Sequence, residues 1–194
     1  MKKISYADLL PNKMYEAQRD AIRQSIMEHK KTRRVQVGKN MMFHFVDFMF
    51  INYQIQVLMR AEKLNEEEEI LEELAVYNPL IPDGKNLKVT MMLEYPNAEE
   101  RHDRLKQLIG VEELISIEID GHEKVYPIAN EDLPRSTDEK TSSVHFLRFE
   151  FDDDSVISAK NGADWYIHCE HLAYKHTCGP LKREVTRSLL RDFL

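Results

Sequence analysis

Short polar turns between stretches of alternating apolar residues are the feature that most constrains the fold of this chain. A Gly-Lys-Asn turn at 38–40 separates two such stretches, and an Asp-Gly turn at 120–121 separates two more, at 114–119 and 124–128. Strands joined by turns this short pair in an antiparallel arrangement. We therefore expect a mainly antiparallel sheet.

The remaining periodicities supply the helices. With 194 residues, the chain has the length of a single domain. We predict one α+β domain over residues 1–194, in which a mainly antiparallel sheet of about six to seven strands packs with about five helices. The five predicted helices span 12–31, 51–64, 65–78, 98–109 and 181–193, and 152–160 could form a further short helix. The predicted strands span 33–37, 41–47, 87–95, 114–119, 124–128, 143–151 and 165–169. Residues 129–142 and 171–180 are expected to be irregular.

Composition excludes several classes of protein. The net charge of −7 disfavours a general nucleic-acid binder. Six glycines include no G-x-G-x-x-G or P-loop pattern, which excludes nucleotide binding by those routes. The start of the chain lacks the apolar segment of a signal peptide, and the most apolar stretch, 41–59, carries too many polar groups to cross a membrane. With only two cysteines, we expect a cytoplasmic protein with reduced thiols and no membrane partner.

Residues 168–178 hold the densest group of metal-ligand side chains. In a strand, His168 and Glu170 lie on one face, and Cys169 and His171 on the other. The spacing matches no established zinc signature, so a His-rich surface loop without metal remains the alternative. The candidate ligands for zinc or iron are His168, Glu170, His171 and His176, with Cys169 and Cys178 as alternates.

A second candidate site is a polar pocket. Arg60 and Glu62 lie on a predicted helix, Glu94 ends a predicted strand, and His145 shares its strand face with apolar residues. A buried carboxylate or imidazole needs a polar partner, so these four residues could line a pocket for a small ligand. Structural ion pairs and a core histidine are the alternative.

Three long segments carry a family resemblance. They are Tyr53–Glu62 (YQIQVLMRAE), Tyr77–Gly84 (YNPLIPDG) and Glu139–Glu150 (EKTSSVHFLRFE). In this order they resemble an uncharacterised bacterial domain-of-unknown-function family of about this length. The chain departs from the family pattern at Val57, where an acid is expected, and at Leu172, where proline is expected.

The resemblance implies a biological context but no activity. Genes of this family are expected to neighbour rubrerythrin-like and iron–sulfur oxidoreductase genes, which implies a role near iron or peroxide stress. Two function hypotheses follow. The first is a cytoplasmic accessory protein that binds a redox or iron protein; the second is a metal-binding protein or metal-dependent enzyme that uses the 168–178 cluster. Exposed strand edges and apolar residues such as Phe48 and Phe50 also make a homo-oligomer an expectation to test.

Overall fold

The structure is a computed structural model that describes residues 2–194. Within these residues the chain forms six α-helices, eight strands and four short 3-10 helices. The helices are α1 (Asn12–Lys31), α2 (Phe48–Glu62), α3 (Glu67–Tyr77), α4 (Ala98–Gln107), α5 (Asp153–Lys160) and α6 (Arg183–Leu189). The strands are β1 (Arg34–Val37), β2 (Met41–Val46), β3 (Asn86–Leu93), β4 (Ile115–Ile119), β5 (Ile128–Ala129), β6 (Val144–Glu150), β7 (Trp165–His171) and β8 (Tyr174–Cys178).

The strands form two antiparallel sheets. The larger sheet has the order β1-β2-β3-β6-β5, and the smaller has the order β4-β7-β8. The predicted α+β class and the mainly antiparallel pairing are therefore confirmed. The chain divides its strands between two sheets, where we expected one, and the short helix considered for 152–160 is present as α5.

Two segments differ from their predicted structure. The predicted 114–128 hairpin is reduced to one residue pair, Ile117 and Val125, which exchange two backbone hydrogen bonds, while β4 pairs along its length with β7. The chain then crosses to the larger sheet, where β5 pairs with β6. Residues 171–180 were expected to be irregular but contain β8, an edge strand whose residues are mostly exposed and so show no apolar alternation.

The apolar faces of both sheets enclose one core. The larger sheet contributes buried residues such as Phe43 and Phe149, and the smaller contributes residues such as Ile117 and Trp165. Helices α5 and α6 add Val156, Ala159, Val185 and Leu189 to the same core. A second apolar cluster joins α2 and α3 to the chain before α1. No helix within residues 2–194 combines the length and apolarity needed to cross a bilayer.

The hydroxyl of Tyr174 joins the two sheets at one edge. It donates to Val37 O at 2.9 Å and accepts from the Asn40 N–H at 2.7 Å, so it connects β8 to the turn between β1 and β2. Gly38 in that turn has a φ of 67°, and a Cβ there would lie 2.5 Å from the His176 ring. Only glycine fits this position without displacing β8.

A buried cluster of charged groups ties β1 and β2 to the segment after α6. Arg33 is 2% exposed; it contacts both Asp47 and Asp192 and donates to Ser188 O at 3.1 Å. Burial has the largest effect on the Asp192 carboxyl and raises its pKa to about 6, although the charge of Arg33 acts to lower it. Burial also opposes ionisation of Asp47, but the hydrogen bond with His29 and the charge of Arg33 hold its pKa below the usual range.

Candidate functional site

A cleft of about 330 Å³ lies beside the loop that follows β5. Its size falls in the lower part of the range for small-molecule sites, about 300–1,000 Å³. The loop residues 129–136 form most of the wall, and the 3-10 helix 111–114 completes it with Glu112 and Glu113.

A hydrogen-bonded group of five residues, here called the polar centre, lies at this cleft. His145, on β6, is fully buried, and its Nε2 lies 3.0 Å from both Thr141 Oγ1 and Ser142 O. Its Nδ1 lies 3.1 Å from Asn130 Nδ2. Both ring nitrogens therefore have partners inside the protein. The polar centre consists of Glu112, Asn130, Ser136, Thr141 and His145.

The polar centre connects the buried histidine to the cleft. Thr141 Oγ1 lies 2.7 Å from Ser136 Oγ, and Ser136 donates to Glu112 Oε1 at 2.6 Å. Glu112 is only 6% exposed, and its second oxygen, Oε2, is buried without a hydrogen-bond partner. Because buried polar atoms are nearly always paired, this oxygen is an exception that needs an explanation.

Asn130 shapes the loop at the point where it leaves β5. Its φ of 51° lies in the left-handed region, which asparagine tolerates better than most residues. Its backbone N–H donates to Phe146 O at 2.8 Å, and its Oδ1 accepts from the Phe146 N–H at 3.2 Å. The side chain is thus fixed with Nδ2 towards His145. Unusual backbone conformations of this kind concentrate at functional sites.

The charges around the cleft are unevenly compensated. Glu131 forms two hydrogen bonds with Arg148, each 2.8 Å long, and Asp132 pairs with Arg135. For Glu112 the nearest basic group is His145, with Nδ1 at 3.8 Å from Oε1. Burial lowers the pKa of His145, so the imidazole is neutral at pH 7 and does not balance the carboxylate.

None of the four residues of the predicted pocket lines the cleft; His145 alone is close, because it lies buried behind the lining residue Asn130 and contacts it. Arg60 is exposed on α2 and pairs with Glu16. Glu62 ends the same helix and is exposed, and Glu94 is exposed just after β3. None of these three lines the cleft beside the polar centre.

The 168–178 cluster lies on both faces of the smaller sheet. On the outer face, His168 Nε2 is 2.8 Å from Glu118 Oε2, and its Nδ1 is 3.0 Å from Thr177 Oγ1. Glu170, on the same face, bonds to Lys124 at 2.8 Å and to Tyr126 at 2.7 Å. These ligand candidates are thus paired with groups outside the cluster.

The other candidate ligands lie on the opposite face of β7 and β8, which is buried at Cys169, partly buried at Cys178 and exposed at His176. Cys169 is buried, and burial raises the pKa of its thiol. His171 Nε2 donates to Ile109 O at 3.3 Å, and His176 packs edge-on against the Tyr174 ring. Across residues 2–194, no three His, Cys, Asp or Glu side chains are placed to share a metal ion. Metal binding by this cluster stays a prediction.

Four members of the polar centre were not identified from the sequence. Thr141 and His145 both lie in the third family-like segment, EKTSSVH, which was the available signal. Glu112 sits in an ordinary Val-Glu-Glu-Leu stretch, and its burial arises because the 3-10 helix packs under the distant 130–142 loop. No local pattern predicts that contact.

Comparison with known proteins establishes the family. The family described as "Protein of unknown function (DUF3501)" matches residues 3–193. The chain belongs to this family. This confirms the resemblance to an uncharacterised domain-of-unknown-function family.

A solved structure shares the DUF3501 fold of this chain. It is a novel protein of unknown function from Burkholderia pseudomallei K96243, with 38% sequence identity and a TM-score of 0.89. The match covers 99% of this chain and 100% of the other. No curated protein matches the chain. The comparisons therefore support a family of unknown function, and the site has to be interpreted from its own chemistry.

Proposed function

We propose that this DUF3501 chain is a cytoplasmic binding protein whose ligand site is the cleft at the polar centre. The observation that carries the proposal concerns Glu112. This residue lines the cleft and is only 6% exposed, and one oxygen of its carboxylate has no hydrogen-bond partner. A buried charge of this kind needs a partner. A ligand in the cleft would provide it.

The geometry favours holding a ligand over acting on it. The imidazole of His145 is fully buried, and both ring nitrogens are engaged by Asn130, Thr141 and the Ser142 carbonyl. A general base has to reach its substrate directly or through one water. His145 therefore serves to fix the loop residues, and Glu112 is the group left to contact a ligand.

An NMR fragment screen tests this proposal. The ¹⁵N-labelled protein is titrated with small fragments of positive, neutral and negative charge, and the backbone amides are followed. We expect binders to shift the amides of residues 112, 113 and 129–136, where the cleft lies. A screen in which no fragment of any charge shifts these amides at millimolar concentration would contradict the proposal.

The family resemblance supports a protein partner as well. Because genes of this family are expected near rubrerythrin-like and iron–sulfur oxidoreductase genes, we infer that the partner is a redox or iron protein. Affinity purification from the bacterium that encodes the chain, followed by mass spectrometry, should enrich a protein of that class. Recovery of the chain alone, also after mild crosslinking, would contradict this inference.

The predicted self-association needs a separate test. Light scattering of the purified chain would measure its oligomeric state.

A further inference from the structure

The hydrogen bonds of the polar centre run in one direction. The carbonyl oxygen of Ser142 can only accept, so His145 Nε2 carries the hydrogen. Asn130 Oδ1 accepts from the Phe146 N–H, so Asn130 Nδ2 donates to His145 Nδ1. These two contacts define a neutral imidazole with its hydrogen on Nε2.

The same reasoning determines which acceptor each hydroxyl hydrogen of Ser136 and Thr141 points to. A carboxylate can only accept, so the single hydroxyl hydrogen of Ser136 goes to Glu112 Oε1. Ser136 must then accept from Thr141, which donates at 2.7 Å. Apart from the second amide hydrogen of Asn130, every side-chain hydrogen of the polar centre is used within the protein. Among its buried atoms, the unsatisfied capacity that remains is that of Glu112 Oε2, an acceptor with negative charge.

The cleft surroundings favour a positively charged ligand. Glu113 also lines the cleft, and within residues 2–194 no basic side chain lies at ion-pair distance from it. Glu112 has one basic side chain at that distance, His145, which is neutral. The lining also includes Ala129, Leu133 and Pro134, which offer apolar contact. Arg135 lines the cleft as well; its guanidinium pairs with Asp132, and its Nε is buried without a partner. The cleft thus presents acidic and apolar groups to the same ligand, with one arginine that is already paired.

We propose that the cleft binds an alkylammonium or alkylguanidinium group, whose aliphatic stem contacts Leu133 and Pro134. Because Glu112 Oε2 is buried, a lining side chain must move on binding before the ligand N–H can donate to this oxygen. This inference rests on the proposed function. A metal cation fits less well, because Mg²⁺ and Ca²⁺ require six or more oxygen ligands and no three candidate side chains converge within residues 2–194. The cation belongs either to a free amine or to a lysine or arginine side chain of a partner.

Calorimetry with simple probes tests the ligand class. The probes are n-butylammonium, n-butylguanidinium and a blocked Gly-Lys-Gly peptide, with butyrate and butylurea as anionic and neutral counterparts. We expect one or both butyl cations, or the peptide, to bind at pH 7.5 and low salt, and the counterparts not to bind. Binding of the peptide alone identifies a protein side chain as the source; binding of the butyl cations identifies a free amine. Butyrate binding as tightly as the cations would overturn the inference.

Variants of the carboxylate connect binding to the site. Glu112→Gln should weaken cation binding about tenfold or more, because a charge-assisted hydrogen bond is lost. Glu123→Gln removes one charge from an exposed position outside the cleft and should change affinity less than threefold. Equal affinities of the wild type and Glu112→Gln would overturn the inference.

A third variant covers the case in which Glu112→Gln does not fold. Ser136→Ala frees Oε1 as well, so this variant should bind the cation at least as tightly as the wild type. Loss of binding in folded Ser136→Ala would overturn the inference.

The NMR screen distinguishes the proposed ligand class from the proposed binding function. If neutral or anionic fragments shift the amides of residues 129–136 and cationic fragments do not, the cleft binds ligands as proposed, but the inference of a cationic ligand is refuted.

Discussion

Asp192 should make the stability of the fold fall between pH 4 and pH 7. Its carboxyl is 2% exposed, and burial beside Arg33 raises its pKa from 3.8 to about 6. The folded state therefore prefers the protonated acid. This preference contributes stability below pH 3.8, the pKa in the unfolded chain, and is lost as the pH rises through about 6.

The size of the effect follows from the two pKa values. The interval between 3.8 and about 6 corresponds to about 3 kcal/mol, most of which is expressed between pH 4 and pH 7.5. Asp192→Asn removes the titrating group and keeps an oxygen that can accept from Arg33. The free energy of unfolding of this variant, minus that of the wild type, should therefore rise by about 2–3 kcal/mol from pH 4 to pH 7.5.

Urea unfolding followed by tryptophan fluorescence measures this difference. Trp165 is the single tryptophan, is 1% exposed and packs against the Phe193 ring, next to Asp192. Taking the difference at each pH cancels the contributions of the other titrating groups. Asp153→Asn, at a carboxylate whose side chain is 75% exposed, is the matched control for the loss of one acidic group at the surface. A difference for Asp192→Asn that stays constant within about 0.5 kcal/mol would refute the burial argument.

Three further predictions concern the sheets and the two candidate sites. Tyr174→Phe should lower the free energy of unfolding by about 1–3 kcal/mol in urea melts, because it removes the buried hydroxyl that joins the sheets. Asn130→Asp should raise the pKa of His145 in an NMR titration, since a carboxylate would face its Nδ1; an unchanged value would show that this contact is absent. If the 168–178 cluster binds zinc or iron, elemental analysis after reconstitution should find near-stoichiometric metal in the wild type that is lost in His171→Ala/His176→Ala; no metal in either protein would end that hypothesis.

Local patterns were sufficient for the elements with strong apolar periodicity. The 33–47 hairpin appears as β1 and β2 because both strands alternate between core and surface. β8 could not be predicted in the same way, because only Tyr174 at its first position is buried. The 124–128 segment looked like a strand returning along β4, but it keeps only the Ile117–Val125 pair, and at Ile128 the chain begins to pair with β6 in the other sheet.

The candidate site was predictable only in part for a similar reason. His145 was identified because a histidine on an apolar strand face is conspicuous in a sequence. Its partners Glu112 and Asn130 lie 33 and 15 positions before it, in segments without a motif. Their convergence depends on the 3-10 helix at 111–114 meeting the loop after β5. Side chains brought together by such packing leave no periodic signal.

The long reach of the Arg33 contact has a consequence for biosynthesis. Asp192 follows Arg33 by 159 residues, an interval of about 10–30 s at translation rates of about 5–20 residues per second. Throughout that interval Arg33 lacks its contact with Asp192, and Asp47 is the one carboxylate of the buried cluster that has been synthesised. The nascent chain therefore carries a β1–β2 hairpin whose buried charged cluster stays incomplete until residues 183–193 have emerged.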